Sequence, residues 1–598
     1  MFNNRAHSED RVRRFLAEQL PARRHLDTAP VTIEAWEVPG EPVPFAEAKA
    51  QTYSPIEVGA RWGRPWSTLW LHVTGEVPET WVSDDERDIE LQLNLSFTNM
   101  PGFQAEALIW NTDGTTVKAI NPYNQYLTLE PGTTSFEYYL ELAANPNVAG
   151  DWTFAPTKLG EWESAGDDPI YDLTELRLAW RSTTIWELEQ DVVALNGLMH
   201  ELPEDSTRRQ DILRCLDDAL DVADPDDLHA TAHDAREVLR RELDKPANAS
   251  AMTVIATGHA HIDSAWLWPV RETVRKCART FSNVCWLLEH YDDLTFSCSS
   301  AQQYQWIRDF YPELFERIKT HVASGRFIPV GGMWVESDTN MPGSEAMARQ
   351  FIQGKSFFLR EFGLETTETW LPDSFGYSGA LPQICAAAGN TNFLTQKVSW
   401  NQFSVFPHHT FWWEGIDGTT QYTHFPPADT YNCQLTGKEL AYVEKNYKDK
   451  GRSHIALSPT GWGDGGGGPT REQLAAGRRA ANLEGSPKVE FSSPTTFFER
   501  SRAEYADAPR WNGELYLELH RGTYSSQIRG KQGNRRSEAL MHDVEKWSAL
   551  AARLDDSFEY PYAEINELWE KVLLLQFHDI LPGSSIAWVH KETEHNYE

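Results

Sequence analysis

From Val31 to about Ile185 apolar and polar residues alternate in short runs: VTIEAWEV, STLWLHVTGEV, DIELQLNLSF, EALIW, SFEYYLELA and LTELRLAW. A period of two puts every second side chain on one face of a strand. Pro, Gly, Asn and Asp separate the runs, and such a series predicts a β-sandwich. Ahead of it, residues 1–25 predict a short charged helix with Val12, Phe15, Leu16 and Leu20 on one side. After Ile185 the period changes. Ile212, Leu213, Leu216 and Leu220 recur at helical spacing, and a second helical run covers 226–243. The segment Pro246-Ala-Asn-Ala-Ser then reads as a boundary.

Between Met252 and Pro494 strand-like runs alternate with helical ones. The strand candidates are MTVIATGHAHID, LTFSCSS, RFIPVGGMWVE, TTETWLPDSFG, TNFLTQK, QYTHFPP, HIALSPTGWGD and VEFSSP. Helical patterns lie between them, over Pro312–Ser324 and Ser344–Glu361 among others. Alternation of this kind predicts a parallel sheet wrapped by helices, closed or nearly closed. Past about Asn534 long helical patterns take over. The expected organisation is multidomain α/β: residues 1–185 as helix plus β-sandwich, 186–249 as a helical linker, 250–532 as a parallel (β/α)-barrel-like catalytic domain, and 533–598 as a helical bundle. The chain stops at Glu598 without closing a domain, as a fragment of a longer protein would.

Chemistry-bearing residues cluster where the apolar runs stop. Gly258–Pro269, GHAHIDSAWLWP, follows the run MTVIA. If the strand continues, His259, His261 and Asp263 share a face, and two imidazoles and a carboxylate suit a divalent metal. Trp266 and Trp268 follow as flat platforms for the C–H face of a sugar. A Gly-His turn closed by two core tryptophans explains the same letters about as well. Five further places stand out: Asp338 in GGMWVESDTNMPGSE, Asp373 and Tyr377 in WLPDSFGYSG, His424, Asp429 and Tyr431 in HFPPADTYN, Asp464 in GWGDGGGGPT, and His578 and Asp579 in FHDILPGSS. Each alone fits a solvated loop acid or a helix cap equally well. The glycine run after Asp464 admits a close approach to the backbone. It lacks the Lys-Ser/Thr of a phosphate loop.

Charge and cysteine usage narrow the classes. A net charge of −34 over 598 residues argues against nucleic-acid and anionic-membrane partners and fits a neutral substrate. No apolar run reaches the ~18 residues of a membrane helix. The N-terminus lacks the apolar stretch of a secretory signal. The six cysteines are scattered without a CxxC pair, which fits reduced thiols and a cytoplasmic location.

Taken in order, the motifs His-x-Asp, Asp, Asp-Gly-Gly and His-Asp resemble those of the glycoside hydrolase family 38 α-mannosidases. GDGGGGPT and WGRPWSTLWLH (Trp62–His72) look closer to the cytosolic or vacuolar subgroup. The resemblance implies a seven-stranded catalytic barrel and C-terminal β-domains that lie outside this chain. It implies metal ligation by His261, Asp263, Asp338 and His578, with His259 beside the set rather than in it. Asp338 would also be the nucleophile and Asp464 the acid/base, with Asp429 as the alternative. Trp266, Tyr377, Asp579, Asp373 and Asp429 would contact sugar. The implied reaction is retaining hydrolysis of terminal α-mannose from oligosaccharides or N-glycan fragments. The implied cofactor is one divalent ion, Zn2+ first and Co2+, Mn2+ or Ca2+ after it, and a homo-oligomer is compatible. The competing enzyme class is a metal-dependent carbohydrate deacetylase, which needs no carboxylate nucleophile.

Overall fold

The alternating runs of the first segment fold as two antiparallel sheets packed face to face. In the computed structural model, which describes residues 5–98, 100–150 and 152–598, one sheet has the order His25–Ala29, Glu175–Ser182, Arg87–Asn94, Tyr126–Thr128. The other runs Ser54–Pro55, Thr32–Glu37, Thr68–Glu76, Ser135–Ala143, Glu106–Trp110, Thr116–Ile120. Leu69, Leu71 and Val73 face Ile89, Leu91 and Leu93 across the core, each set spaced by two as the pleat requires.

The N-terminal helix does not join this sandwich. Val12, Phe15 and Leu20 pack with Ile212, Leu216 and Leu220 of the helical segment. Three helices form that segment: Thr183–Glu201, Thr207–Val222 and Leu228–Leu243. Ser182, Ser206 and Asp227 cap them by accepting backbone N–H groups two or three residues inside each helix, worth ~1 kcal/mol apiece.

Each of the eight strand candidates of the central segment contains a parallel strand: Thr253–His259, Phe296–Cys298, Phe327–Pro329, Glu368–Trp370, Asn392–Leu394, Thr420–His424, Ile455–Thr460 and Lys488–Phe491. They form two sheets. The first has the order Phe327–Pro329, Phe296–Cys298, Thr253–His259, Ile455–Thr460, with Lys488–Phe491 also paired to Thr253–Ala256. The second holds Glu368–Trp370, Asn392–Leu394 and Thr420–His424. It continues through Thr410–Glu414, antiparallel to its neighbour, and Arg510–Asn512, neither of which the pattern suggests. No strand ladder joins the two sheets among the described residues. Side chains bridge them instead. Asn390 Nδ2 donates to the Gly331 carbonyl at 3.4 Å, and the Leu457 N–H donates to His424 Nε2 at 3.2 Å.

The sandwich is tied to the central segment by buried charge. Glu272, Arg275, Lys276 and Arg279 all lie on one helix, Val270–His290. Arg275 Nε meets Glu141 at 2.9 Å, Lys276 Nζ meets Glu106 at 3.0 Å, and Asn145 donates to Glu272 at 2.9 Å. Burial opposes ionisation of Glu272, but Arg275 and Arg279 outweigh it and hold the carboxyl well below the usual range. Removing one partner strands the others. Arg275→Ala is expected to cost roughly 3–5 kcal/mol, read as a lowered denaturant midpoint. A midpoint unchanged from wild type would mean that the network holds nothing together.

Three helices close the chain: Ile528–Leu554, Tyr562–Leu574 and Ala587–Tyr597. The turn between the last two is pinned into the centre of the molecule. The Asp338 N–H donates to the Gln576 carbonyl at 2.8 Å, and the Ile586 N–H donates to the Trp266 carbonyl at 2.8 Å.

Candidate active site

The site gathers at the C-terminal ends of the parallel strands, where such sheets leave their loops free to carry chemistry. His261 and Asp263 follow Thr253–His259. Asp373 follows Glu368–Trp370, and Asp464 follows Ile455–Thr460. His578 and Asp579 reach the same place from the turn between the last two helices.

His261, Asp373 and His578 bring ligand atoms within 4.8 Å of one another. So do His261, Asp263 and Asp464, and Asp263, His578 and Asp579. Asp263 Oδ1 lies 2.9 Å from His261 Nε2 and 3.4 Å from His578 Nε2. His578 Nε2 is also 3.6 Å from Asp373 Oδ2. The two imidazoles lie nearly parallel, with centroids 5.3 Å apart. Despite this crowding, His261 Nε2, His578 Nε2 and Asp263 Oδ1 have no hydrogen-bond partner among the described residues. Buried polar atoms are rarely left so. Donors that converge without bonding one another suit a cation held between them, and a two-His, two-Asp set is a zinc-type set.

Glu336 orients both histidines. Its Oε2 lies 2.9 Å from His261 Nδ1, and its backbone carbonyl lies 2.7 Å from His578 Nδ1. Ser299 Oγ donates to its other carboxylate oxygen. His578, with Nδ1 on the Glu336 carbonyl, is left with Nε2 toward the centre, the usual arrangement around ligating histidines, while His261 Nδ1 lies against the Glu336 carboxylate without a hydrogen bond.

Asp373 and Asp464 are pushed in opposite directions. Burial raises the Asp373 carboxyl, but Lys397, with Nζ 2.6 Å from Oδ1, outweighs it, and the group is held well below the usual range. Asp464 has no such cation. Burial first, then the charges of Asp263 and Asp373, push it up to about 6. Tyr431 Oη donates to its Oδ1 at 2.6 Å, and its carbonyl accepts the Asp263 N–H at 2.8 Å. Asp464 sits at φ +63°, a left-handed conformation that non-glycine residues adopt under constraint. Asp579 is raised to about 8 by burial and then by Asp263, and its Oδ1 accepts from Ser584 Oγ.

The other expected site residues have different surroundings. Asp338 is in none of the donor groups. It is buried, and its Oδ1 accepts the N–H groups of Asn340 at 3.0 Å and Met341 at 2.7 Å. Asp373, like Asp263, lies beside both histidines. Asp429 is bonded to Tyr442 and Asn446, and is likewise outside the groups. Tyr377 is packed against Phe393 and Trp413, with Oη on the Leu371 carbonyl at 2.8 Å. His259 turns Nδ1 to the Ser297 carbonyl at 2.8 Å and is in no donor group. Trp266 stands half-buried among Phe103, Trp268, Trp152 and Phe154. Sequence reasoning gave no role to Lys397 or Glu336. Both carried one usable signal, a charged residue just beyond an apolar strand run.

Comparison with known proteins is consistent along the chain. Residues 251–514 match the glycosyl hydrolases family 38 N-terminal domain, residues 29–179 an α-mannosidase jelly roll domain, and residues 518–598 an α-mannosidase middle domain. The chain is 38% identical to α-mannosidase 2C1 of Mus musculus, over 98% of this chain and 56% of that protein. It is 35% identical to an α-mannosidase of Saccharomyces cerevisiae, over 88% of this chain and 50% of that protein. The chain thus spans about half the length of the curated relatives it matches. A crystal structure of an α-mannosidase from Enterococcus faecalis V583 superposes with a TM-score of 0.52 at 21% identity, over 58% of this chain and 40% of that one, a likeness of fold. With jelly-roll, catalytic and middle-domain matches in order along one polypeptide, the chain belongs to glycosyl hydrolase family 38.

Proposed function

We propose that the chain is the catalytic part of a retaining α-mannosidase that removes terminal α-linked mannose from oligosaccharides or N-glycan fragments. The observation that carries this reading is the convergence of His261, Asp263, Asp373 and His578, with unbonded donor atoms among them, and of a further carboxyl, Asp464, against the same donors. A retaining glycosidase needs one carboxylate and one carboxylic acid on either side of the scissile bond. Environment sets such roles apart.

His261, Asp263, Asp373 and His578 would hold the divalent ion, most simply Zn2+, with Co2+, Mn2+ or Ca2+ as substitutes. Bound there, it would stabilise negative charge and orient sugar hydroxyls. Here we take Asp373 rather than Asp338 as the nucleophile, because its carboxylate lies with the His261 and His578 ligand atoms. Asp373 attacks the anomeric carbon while the glycosidic C–O bond breaks. The departing oxygen takes its proton from Asp464, which Tyr431 keeps oriented. Water then attacks the same carbon, gives its proton to Asp464, and the ester bond to Asp373 breaks. Trp266 offers an aromatic face to the sugar, and Asp579 a hydroxyl partner. No helix among the described residues is long and apolar enough to cross a membrane. The six buried, unpaired cysteines fit a reducing cytoplasmic setting.

Chelation tests the reading. Hydrolysis of an aryl α-mannoside is expected to stop after exhaustive chelation and return on adding zinc. Full turnover by protein verified as metal-free would contradict the cation's part in it.

A further inference from the structure

Where the sandwich meets the catalytic segment, one loop reaches the rim of the site. The contact is close. A Cβ built on Gly102 would lie 2.4 Å from the Gly465 Cα, so the sandwich backbone rests directly on the residue after Asp464. Farther along the sandwich, Trp152 and Phe154 both take left-handed φ values, +63° and +48°, which bulky residues rarely adopt. They leave 44% and 53% of their surface exposed. Large aromatic rings in a strained backbone are normally justified by burial. These two are not buried.

Their position supplies another reason. Trp152 lies 6.4 Å and Phe154 6.1 Å, centroid to centroid, from Trp266, and Phe103 backs the group at 5.7 Å from the same ring. Phe154 also lines a cavity of about 290 Å³ together with Leu267, Ser584 and Ser585. Thr157 and Ser164 add hydroxyls to its lining. Ser584 Oγ donates to Asp579 Oδ1, so the cavity begins one side chain from the catalytic cluster. The segment is braced by hydrogen bonds of its own. The Phe154 N–H donates to the Ala149 carbonyl at 3.2 Å, and Trp66 Nε1 donates to the Leu159 carbonyl at 2.9 Å. Exposed ring faces beside hydroxyl-lined space match one chemistry well: a pyranose, with an apolar C–H face and a hydroxylated edge.

We propose that Trp152 and Phe154, with the cavity that Phe154 lines, form a further sugar-binding subsite contributed by the N-terminal sandwich, which holds a second pyranose unit of an oligosaccharide next to the mannose being cleaved. The inference rests on the glycosidase reading above. It makes the sandwich a specificity element, since a substrate with one sugar has nothing to place there.

The test separates the two readings. Trp152→Ala, Phe154→Ala and the double variant are compared with wild type on an aryl α-mannoside and on α-linked mannotriose. The ratio of mannotriose to aryl-mannoside kcat/KM is expected to fall about tenfold in the double variant, the scale of one aromatic stacking contact, and Trp152→Tyr is expected to recover most of it. An unchanged ratio, with both substrates equally affected or equally spared, overturns the subsite. Mannotriose binding is measured in parallel by calorimetry on chains carrying Asp373→Asn, where turnover plays no part. Weaker binding in the Trp152→Ala and Phe154→Ala backgrounds supports the subsite even if wild type cleaves neither substrate, in which case only the catalytic reading fails. Equal binding in all backgrounds, or none in any, overturns it.

Discussion

Asp373→Asn is expected to lower aryl α-mannoside hydrolysis by on the order of 10⁴-fold or more, the scale of losing a covalent nucleophile. The amide keeps the side chain's shape but cannot form the glycosyl ester. Lys397 loses its buried counter-charge in this variant, so a matched control matters. Asp338→Asn is that control. It too replaces a buried carboxylate near His578. Its amide oxygen can still accept from Asn340 and Met341, as the carboxylate does now. The expected fall there is less than about tenfold, in keeping with the loss of charge on one hydrogen-bond acceptor. Steady-state rates on the two variants, with folding checked by circular dichroism, decide between the carboxylates. Equal losses would leave the assignment of Asp373 without support.

Asp464→Asn is expected to behave differently. Removing a general acid costs about 10²–10⁴-fold where the leaving oxygen needs a proton. The loss should therefore be large for mannobiose and small for a dinitrophenyl mannoside, whose leaving group departs unaided. The pH dependence follows with a definite sign. Glycosylation needs Asp464 protonated, and burial together with Asp263 and Asp373 pushes it up to about 6. The rate on mannobiose should fall as pH rises through the pKa of that group, because the proton is then gone. In the asparagine variant this limb should vanish. A variant equally impaired on both substrates, with the limb intact, would assign the acid to another residue.

Much of the architecture could be read from periodicity. A spacing of two marked the sandwich, and apolar runs between helical patterns marked the eight parallel strands, because one-face burial leaves a repeat in the sequence. The strand Thr410–Glu414, within HTFWWEG, was not separable, since its antiparallel pairing with Thr420–His424 is invisible to pattern. The packing of the N-terminal helix was equally hidden, because an apolar stripe does not say which neighbour covers it. At the site, polar residues just past strand ends were a sound guide to location. They do not by themselves assign a role. Asp338 and Asp373 both follow strands, and spacing carries no distance. Only the fold shows one bound by two amides and the other beside His578 and Lys397. Tyr377 shows that nearness in sequence does not set a side chain's contacts. It lies near the site in sequence, four residues from Asp373, and packs into a core of Phe393 and Trp413.

Identification of the residue that carries the covalent sugar is the most direct test. A fluorinated mannosyl fluoride forms such an ester quickly and releases it slowly, so the chain can be labelled, digested and sequenced by mass spectrometry. The account predicts one modified peptide, containing Leu371–Gly379, with the sugar on Asp373. A label on Asp338, or an active enzyme that takes up no label, would contradict it.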